Sequence, residues 1–286
     1  MNSMLLSPAA LAAARSTVPT VSSDAGAALV GAAKFLLADL ERGCAIDAQS
    51  LRNAMSAAFG GSDAEGTWNW KTAYDACEAA QILFLRKFAP AMHKHAASRS
   101  AFLAMLEKLA ALVPSHTRRS EESQALQQFS TPIELGFVAS VAAAITSDDL
   151  ALEPSAGTGL LAIHAELAGA QLHLNALADA RASLLDQLFG GIGVTRYDAA
   201  HIHDHLDADI RPTVALMNPP FSVAAHVDGH VADAAFRHVS SALARQFHPH
   251  AGIRTRRVFS TNLWPRLCPP WHHHRDASDG RRPYTG

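Results

Sequence analysis

The chain predicts an α/β protein, a doubly wound parallel sheet preceded by an all-helical segment, on three observations. Between residues 149 and 217 short apolar runs alternate with helical patterns. Each strand-to-helix step takes about twenty residues, the length that a parallel crossover with short loops needs. Ahead of residue 118 the apolar spacing is three-to-four, with little sign of strands.

The helical segment comes first. Gly26 to Arg42, Ala48 to Phe59, Trp68 to His95 and Ser100 to Leu112 each carry an apolar stripe and are separated by Gly-Gly and Pro breaks. They predict a separate helical unit over residues 1–118. Trp68-Asn69-Trp70-Lys71-Thr72-Ala73-Tyr74 offers aromatics that can stack on bases; aromatics in the first turns of an amphipathic helix are more often core. Ser115 to Gln124, with Arg118-Arg119 and Glu121-Glu122, reads as a polar linker.

The sheet follows, in a second domain over residues 119–245. Asp149 to Glu153 is a short apolar run ending in an acid, and Leu160 to Leu167 continues as a helix. Gln171 to Asn175 predicts a second strand and Ala178 to Phe189 a helix. Gly193 to Arg196 predicts a third strand ending near Asp198, and Thr213 to Met217 a fourth. Ligand loops of such a sheet gather at the carboxyl ends of its strands, which puts Glu153, Ala176, Asp198 and Asn218 on one rim.

Three short blocks on or beside that rim carry chemistry. In Glu153-Pro154-Ser155-Ala156-Gly157-Thr158-Gly159 the two glycines lack Cβ, so the backbone can turn tightly and approach a ligand. A βα turn without a ligand has the same composition. In Asn218-Pro219-Pro220-Phe221 two prolines fix φ and remove two donors, leaving carbonyls and the Asn218 amide as acceptors in a rigid corner. A planar amino group can donate to such acceptors; a Pro-Pro turn with Phe221 in the core is the plainer alternative. In Phe129-Ser130-Thr131-Pro132 a hydroxyl can cap a helix that opens at Pro132.

In that order, these blocks resemble the AdoMet-dependent amino-methyltransferases that act on adenine in DNA, over roughly Gln124 to Leu243. The resemblance implies a Rossmann-like class I methyltransferase sheet with S-adenosylmethionine as cofactor and DNA as substrate. Phe129, Ser130, Thr131, Pro132, Glu153, Pro154, Ser155, Ala156, Gly157, Thr158, Gly159 and Asp198 are then cofactor-binding, with Asp198 toward the adenine ring. Asn218, Pro219, Pro220 and Phe221 are catalytic. The Asn218 side chain and the first proline carbonyl would accept hydrogens from the target amino group, and Phe221 would stack on a base swung out of the helix. In-line transfer of this kind relies on alignment, with no metal. RNA adenine and protein glutamine are alternative substrates, because their methyltransferases share the Asn-Pro-Pro-aromatic corner. With the helical segment included, the chain resembles the methylase portion of strawberry-notch-type methylase/helicase proteins. No Walker-type helicase motif occurs, so a helicase module would belong to a longer relative.

Two departures from the family pattern stand out. Where the family ends its second strand in a ribose-binding acid, this chain has Ala176, with Asn175 or Asp179 as substitutes. A degenerate chain without activity, at most an interaction domain, is the reading this favours. After the helical pattern of Val231 to Ala244, residues 246–286 form an Arg/His/Pro-rich tail without helical or strand periodicity, expected to be irregular. A change of reading frame or a truncation near Arg245 accounts for it, as does a basic tail that neutralises phosphates. Cys268 and His272-His273-His274 lack the spacing of a structural zinc site.

Composition bounds the rest. At 286 residues with a net charge of −2, the chain has the length for two domains and little charge for tight, sequence-blind DNA binding. Cys44, Cys77 and Cys268 are few and far apart, as expected in a reducing cytoplasm. No apolar run has the length of a membrane span, and no charged n-region opens the chain. Oligomeric state and DNA target sequence leave no mark in the sequence.

Overall fold

The computed structural model describes residues 23–114, 130–190, 192–207, 209–218 and 258–260. Phe129, Pro219, Pro220, Phe221, the linker, the helical pattern of Val231 to Ala244, and Cys268 with the histidine triplet lie outside the described residues.

Four helices open the structure: α1 (Ser23–Glu41), α2 (Ala48–Phe59), α3 (Trp70–His95) and α4 (Arg99–Ala110). Three of them start on a side-chain cap that accepts a backbone amide. Asp47 takes Ser50 N at 2.7 Å, Asn69 takes Thr72 N at 2.9 Å and Ser98 takes Ala101 N at 3.1 Å. Gly60 ends α2 in the left-handed conformation. The aromatic cluster is core: Trp68 and Tyr74 are buried, and the Trp68 indole donates to the Gly61 carbonyl at 3.0 Å.

Helix α5 (Ile133–Ala143) leads into a parallel sheet of β1 (Leu150–Glu153), β2 (Gln171–Asn175), β3 (Val194–Thr195), β4 (Val214–Met217) and β5 (Val258–Ser260). Helix α6 (Ala162–Leu167) follows β1, α7 (Asp179–Leu188) follows β2, and a 3-10 turn at Ala199–Asp204 follows β3. The strand order is β3-β2-β1-β4-β5 with every pairing parallel. The chain is therefore α/β, helices packed on a small parallel sheet, with expected elements found within a few residues of their predicted bounds.

Alternation along the strands builds two faces. Ala151, Val214 and Leu216 pack with Ala139, Ala143, Leu161 and Ala165 of α5 and the α6 region. Leu152, Ala215 and Met217 turn to the other face, against Ile202 of the 3-10 turn. Strand β4 is buried along its whole length, as a central strand covered on both faces must be.

One apolar cluster runs from Leu29 and Leu36 through Ile82 and Leu85 to Ile163, Leu174 and Leu185. Helix α3 is buried from Ala73 to Ile82, and a Cβ on Gly26 of α1 would meet Ser183 of α7 at 2.6 Å. Beyond residue 245, Val258–Ser260 pairs with Ala215, Leu216 and Met217. Three residues are too few to display a period of two, so backbone pairing is invisible in the residue pattern.

Candidate functional site

The strand order turns back between β1 and β4, and open α/β sheets take ligands at the carboxyl ends of strands beside such a reversal. Glu153 ends β1 and Asn218 follows β4, so the acid of the first motif and the amide of the second stand on neighbouring strands at that edge.

The third motif closes on them. Asn218 Nδ2 donates to Thr131 Oγ1 at 2.9 Å, joining the segment before α5 to the end of β4. Thr131 is buried, and α5 starts at Ile133 with Pro132 as its N-cap, one residue beyond the expected start, and no hydroxyl caps it. The Asn218 amide nitrogen is held by Thr131, and its Oδ1 is an acceptor of the type that an amino donor requires. Ser130 Oγ is buried and has no hydrogen-bond partner among the described residues.

Glu153 is 3% exposed, and its Oε2 likewise lacks a partner among the described residues. Burial holds its carboxyl well above the usual carboxylate range, against the opposing effect of the Ala162 amide. A buried acid with an unmatched oxygen at a strand end suits a ligand that brings a cation or a donor.

The glycine loop is shaped by backbone needs. Gly157 and Gly159 have φ of 57° and 96°, in the region that disfavours other residues. A Cβ on Gly159 would meet the Phe189 ring at 2.5 Å, whereas one on Gly157 would find nothing nearer than Arg181 Nη1 at 3.8 Å. Gly159 is thus required by packing as well as by conformation. Ala156 N donates to Asn175 O and Gly159 N to Ala156 O. No backbone carbonyl among the described residues receives the Gly157 or Thr158 amide. Pro154 and Ala156 are buried and Ser155 half-buried.

Thr158, Asp198 and the two substitutes for the ribose acid each have contacts of their own. The Thr158 side chain turns away from the rim: its Oγ1 donates to Glu78 Oε2 of α3 at 2.6 Å, both residues buried. Asn175 cannot replace a ribose acid, because all four of its hydrogen-bonding positions are used. Its Nδ2 donates to Pro154 O and Tyr197 O, and its Oδ1 accepts from Thr195 Oγ1 and Tyr197 N, each at 2.8 Å. Asp179 opens α7 and pairs with Arg196 at 3.1 Å. Asp198 is exposed beyond β3, its carbonyl accepting His201 N at the start of the 3-10 turn.

Sequence reasoning missed the acids behind the loop. Asp75 and Glu78 lie one turn apart on the buried part of α3; Asp75 Oδ1 takes Arg181 Nη2 at 3.0 Å while Glu78 holds Thr158. Burial pushes Asp75 up, and the Arg181 guanidinium opposes that shift. The available signal was two acids inside the alanine-rich run Ala73 to Ala80, where a buried charge must find its partner on another element.

Two cavities open elsewhere. One of about 700 Å³, lined by Arg86, Glu166, Gln171, His173, Phe189 and Ile210, lies toward the amino ends of β1 and β2. Another of about 390 Å³ lies between His93, Phe102, Phe137 and His164. Their size follows from how helices meet the sheet, whereas the motif chemistry follows the strand ends, so the carboxyl edge is the better candidate. Among the described residues no group of three or more His, Cys, Asp or Glu is placed to hold a metal ion, and no helix is long and apolar enough to cross a membrane. No family model, curated protein or solved structure matches this chain.

Proposed function

We propose that this chain is an AdoMet-dependent methyltransferase that acts on an exocyclic amino group, with adenine in DNA as its substrate class. The observation that carries the reading is the Asn218 to Thr131 hydrogen bond, which joins two of the three motifs across the chain. The strand order β3-β2-β1-β4-β5 supports it, as the order of a Rossmann-like sheet reversing at the expected place.

The residues present fit the cofactor. Glu153 Oε2 and Ser130 Oγ are buried polar atoms in need of partners, and Gly157 leaves room where a side chain would stand. Glu153, Ser130 and the amides of Gly157 and Thr158 would hold it. When bound, AdoMet supplies an electrophilic methyl group on a sulfonium. Asn218 Oδ1 accepts a hydrogen from the substrate amino group, and its Thr131 anchor keeps the plane of the amide from rotating. That contact directs the nitrogen lone pair along one line, and alignment of this kind contributes much of the acceleration in a group transfer. The nitrogen would take the methyl as the methyl–sulfur bond breaks, the neutral thioether would be the leaving group, and the proton lost from nitrogen would pass to solvent. Flipping the base would bring it to the Asn-Pro-Pro-Phe corner.

The test is transfer of label from methyl-labelled AdoMet to unmethylated DNA, read as N6-methyladenine. Asn218→Ala should lower the rate by about a hundredfold or more, as loss of a group that orients and stabilises the transition state does. Label appearing in RNA or in protein glutamine instead would keep the chemistry and change the substrate. An inactive relative of these enzymes is the second reading, favoured by Ala176 and by the saturation of Asn175. It predicts no transfer to any of them.

A further inference from the structure

We infer that helix α3 is part of the cofactor site, with Glu78 the positioning residue that sets the glycine loop. The inference rests on the methyltransferase reading for its consequence in binding, and on geometry alone for the loop.

Thr158 lies between the two glycines whose positive φ gives the loop its shape, so the loop has an intrinsically wide choice of conformations. Its backbone is tied by Ala156 N to Asn175 O at 2.9 Å and by Gly159 N to Ala156 O at 2.8 Å, bonds on either side of the Gly157-Thr158 peptide. The tie to that peptide is the Thr158 side chain, which donates to Glu78 Oε2 at 2.6 Å. Glu78 is 4% exposed and Thr158 1%, so water competes little for this bond. The acid is itself held, because α3 is buried on all sides here. One turn earlier, Asp75 fixes Arg181 at 3.0 Å, and that guanidinium borders Gly157 on its open side. Helix α3 therefore grips the loop at Thr158 and lines it at Gly157. The amides of Gly157 and Thr158, which would receive ligand oxygens, point where that grip aims them.

The helical segment is then a condition for cofactor binding and not an appended module. Burying a carboxylate is costly, and packing alone would be served as well by an apolar pair of the same shape. A double variant that supplies such a pair separates positioning from stability.

The experiment uses the full chain with Thr158→Val, Thr158→Ser, and Glu78→Leu with Thr158→Val combined. Hydrogen exchange of the peptide spanning Gly157 is measured without ligand, and AdoMet affinity by calorimetry. The expected result is exchange about tenfold faster and affinity about tenfold weaker in Thr158→Val, with both restored in Thr158→Ser. The double variant should regain the thermal midpoint of the parent and still bind tenfold more weakly. Parent-like exchange in Thr158→Val and in the double variant would overturn the inference, whatever the cofactor does. Faster exchange in a protein whose parent does not bind AdoMet would uphold the positioning role and refute the cofactor.

Discussion

Thr131 and Asn218, 87 residues apart, are joined by a hydrogen bond of 2.9 Å from the Asn218 amide to the threonine hydroxyl. The bond holds the amide plane in place, and it does so with a group that needs no titration. Thr131→Val should therefore lower kcat about tenfold with KM for AdoMet little changed, while Thr131→Ser stays near the parent. Steady-state kinetics with both variants would check this split.

Glu153 is a buried acid whose cost is tolerable only if it is used. Its folded pKa lies above the unfolded one, so its contribution to stability is full below about pH 4.3 and is lost as pH rises through the folded value. Glu153→Gln should raise the unfolding midpoint at pH 8, by an amount that vanishes as pH falls toward 4. The same variant should weaken AdoMet binding at least tenfold, as loss of a buried charged contact does. A gain in stability without a loss of binding would remove Glu153 from the site.

His164 lies behind α5 and has the opposite pH behaviour. Its Nε2–H donates to the Ile133 carbonyl at 2.8 Å, and burial pushes its pKa down to about 4 from 6.5. The neutral ring stabilises the fold fully above pH 6.5, and that stability is lost as pH falls toward 4. Between pH 7.5 and 4 the parent should lose on the order of 3 kcal/mol relative to His164→Gln, which cannot protonate. Urea unfolding at both pH values measures the difference.

The two loop glycines should respond unequally. Gly159→Ala meets the Phe189 ring as well as an unfavourable φ, whereas Gly157→Ala meets only the φ. The expected costs are about 3 kcal/mol or more for Gly159→Ala and about 1 kcal/mol for Gly157→Ala. Equal costs would mean that Phe189 moves aside.

Much of the fold was legible because its signals are local. The apolar run Leu150 to Glu153 ends at a proline and two glycines, and the other strands are spaced from it as crossovers require. Asp47, Asn69 and Ser98 cap helices whose apolar stripes the sequence shows, with two starts expected at Trp68 and Ser100. Where the signal was long-range, residue type misled. Asn175 looks like a substitute ligand for ribose, yet it bonds Pro154, Thr195 and Tyr197 across the strand ends. Glu78 looks like an ordinary helix acid, yet its partner is Thr158, 80 positions away. Val258-Phe259-Ser260 is a strand by backbone pairing with β4, for which three side chains leave no pattern.

The most direct test of the account is calorimetric titration of the full chain with AdoMet, beside Gly157→Arg. That arginine would start at a position where a Cβ already touches Arg181 Nη1 at 3.8 Å and would extend beyond it. The account predicts saturable binding by the parent at one site per chain and none by Gly157→Arg. Absence of binding by the parent, or equal binding by both, would contradict it.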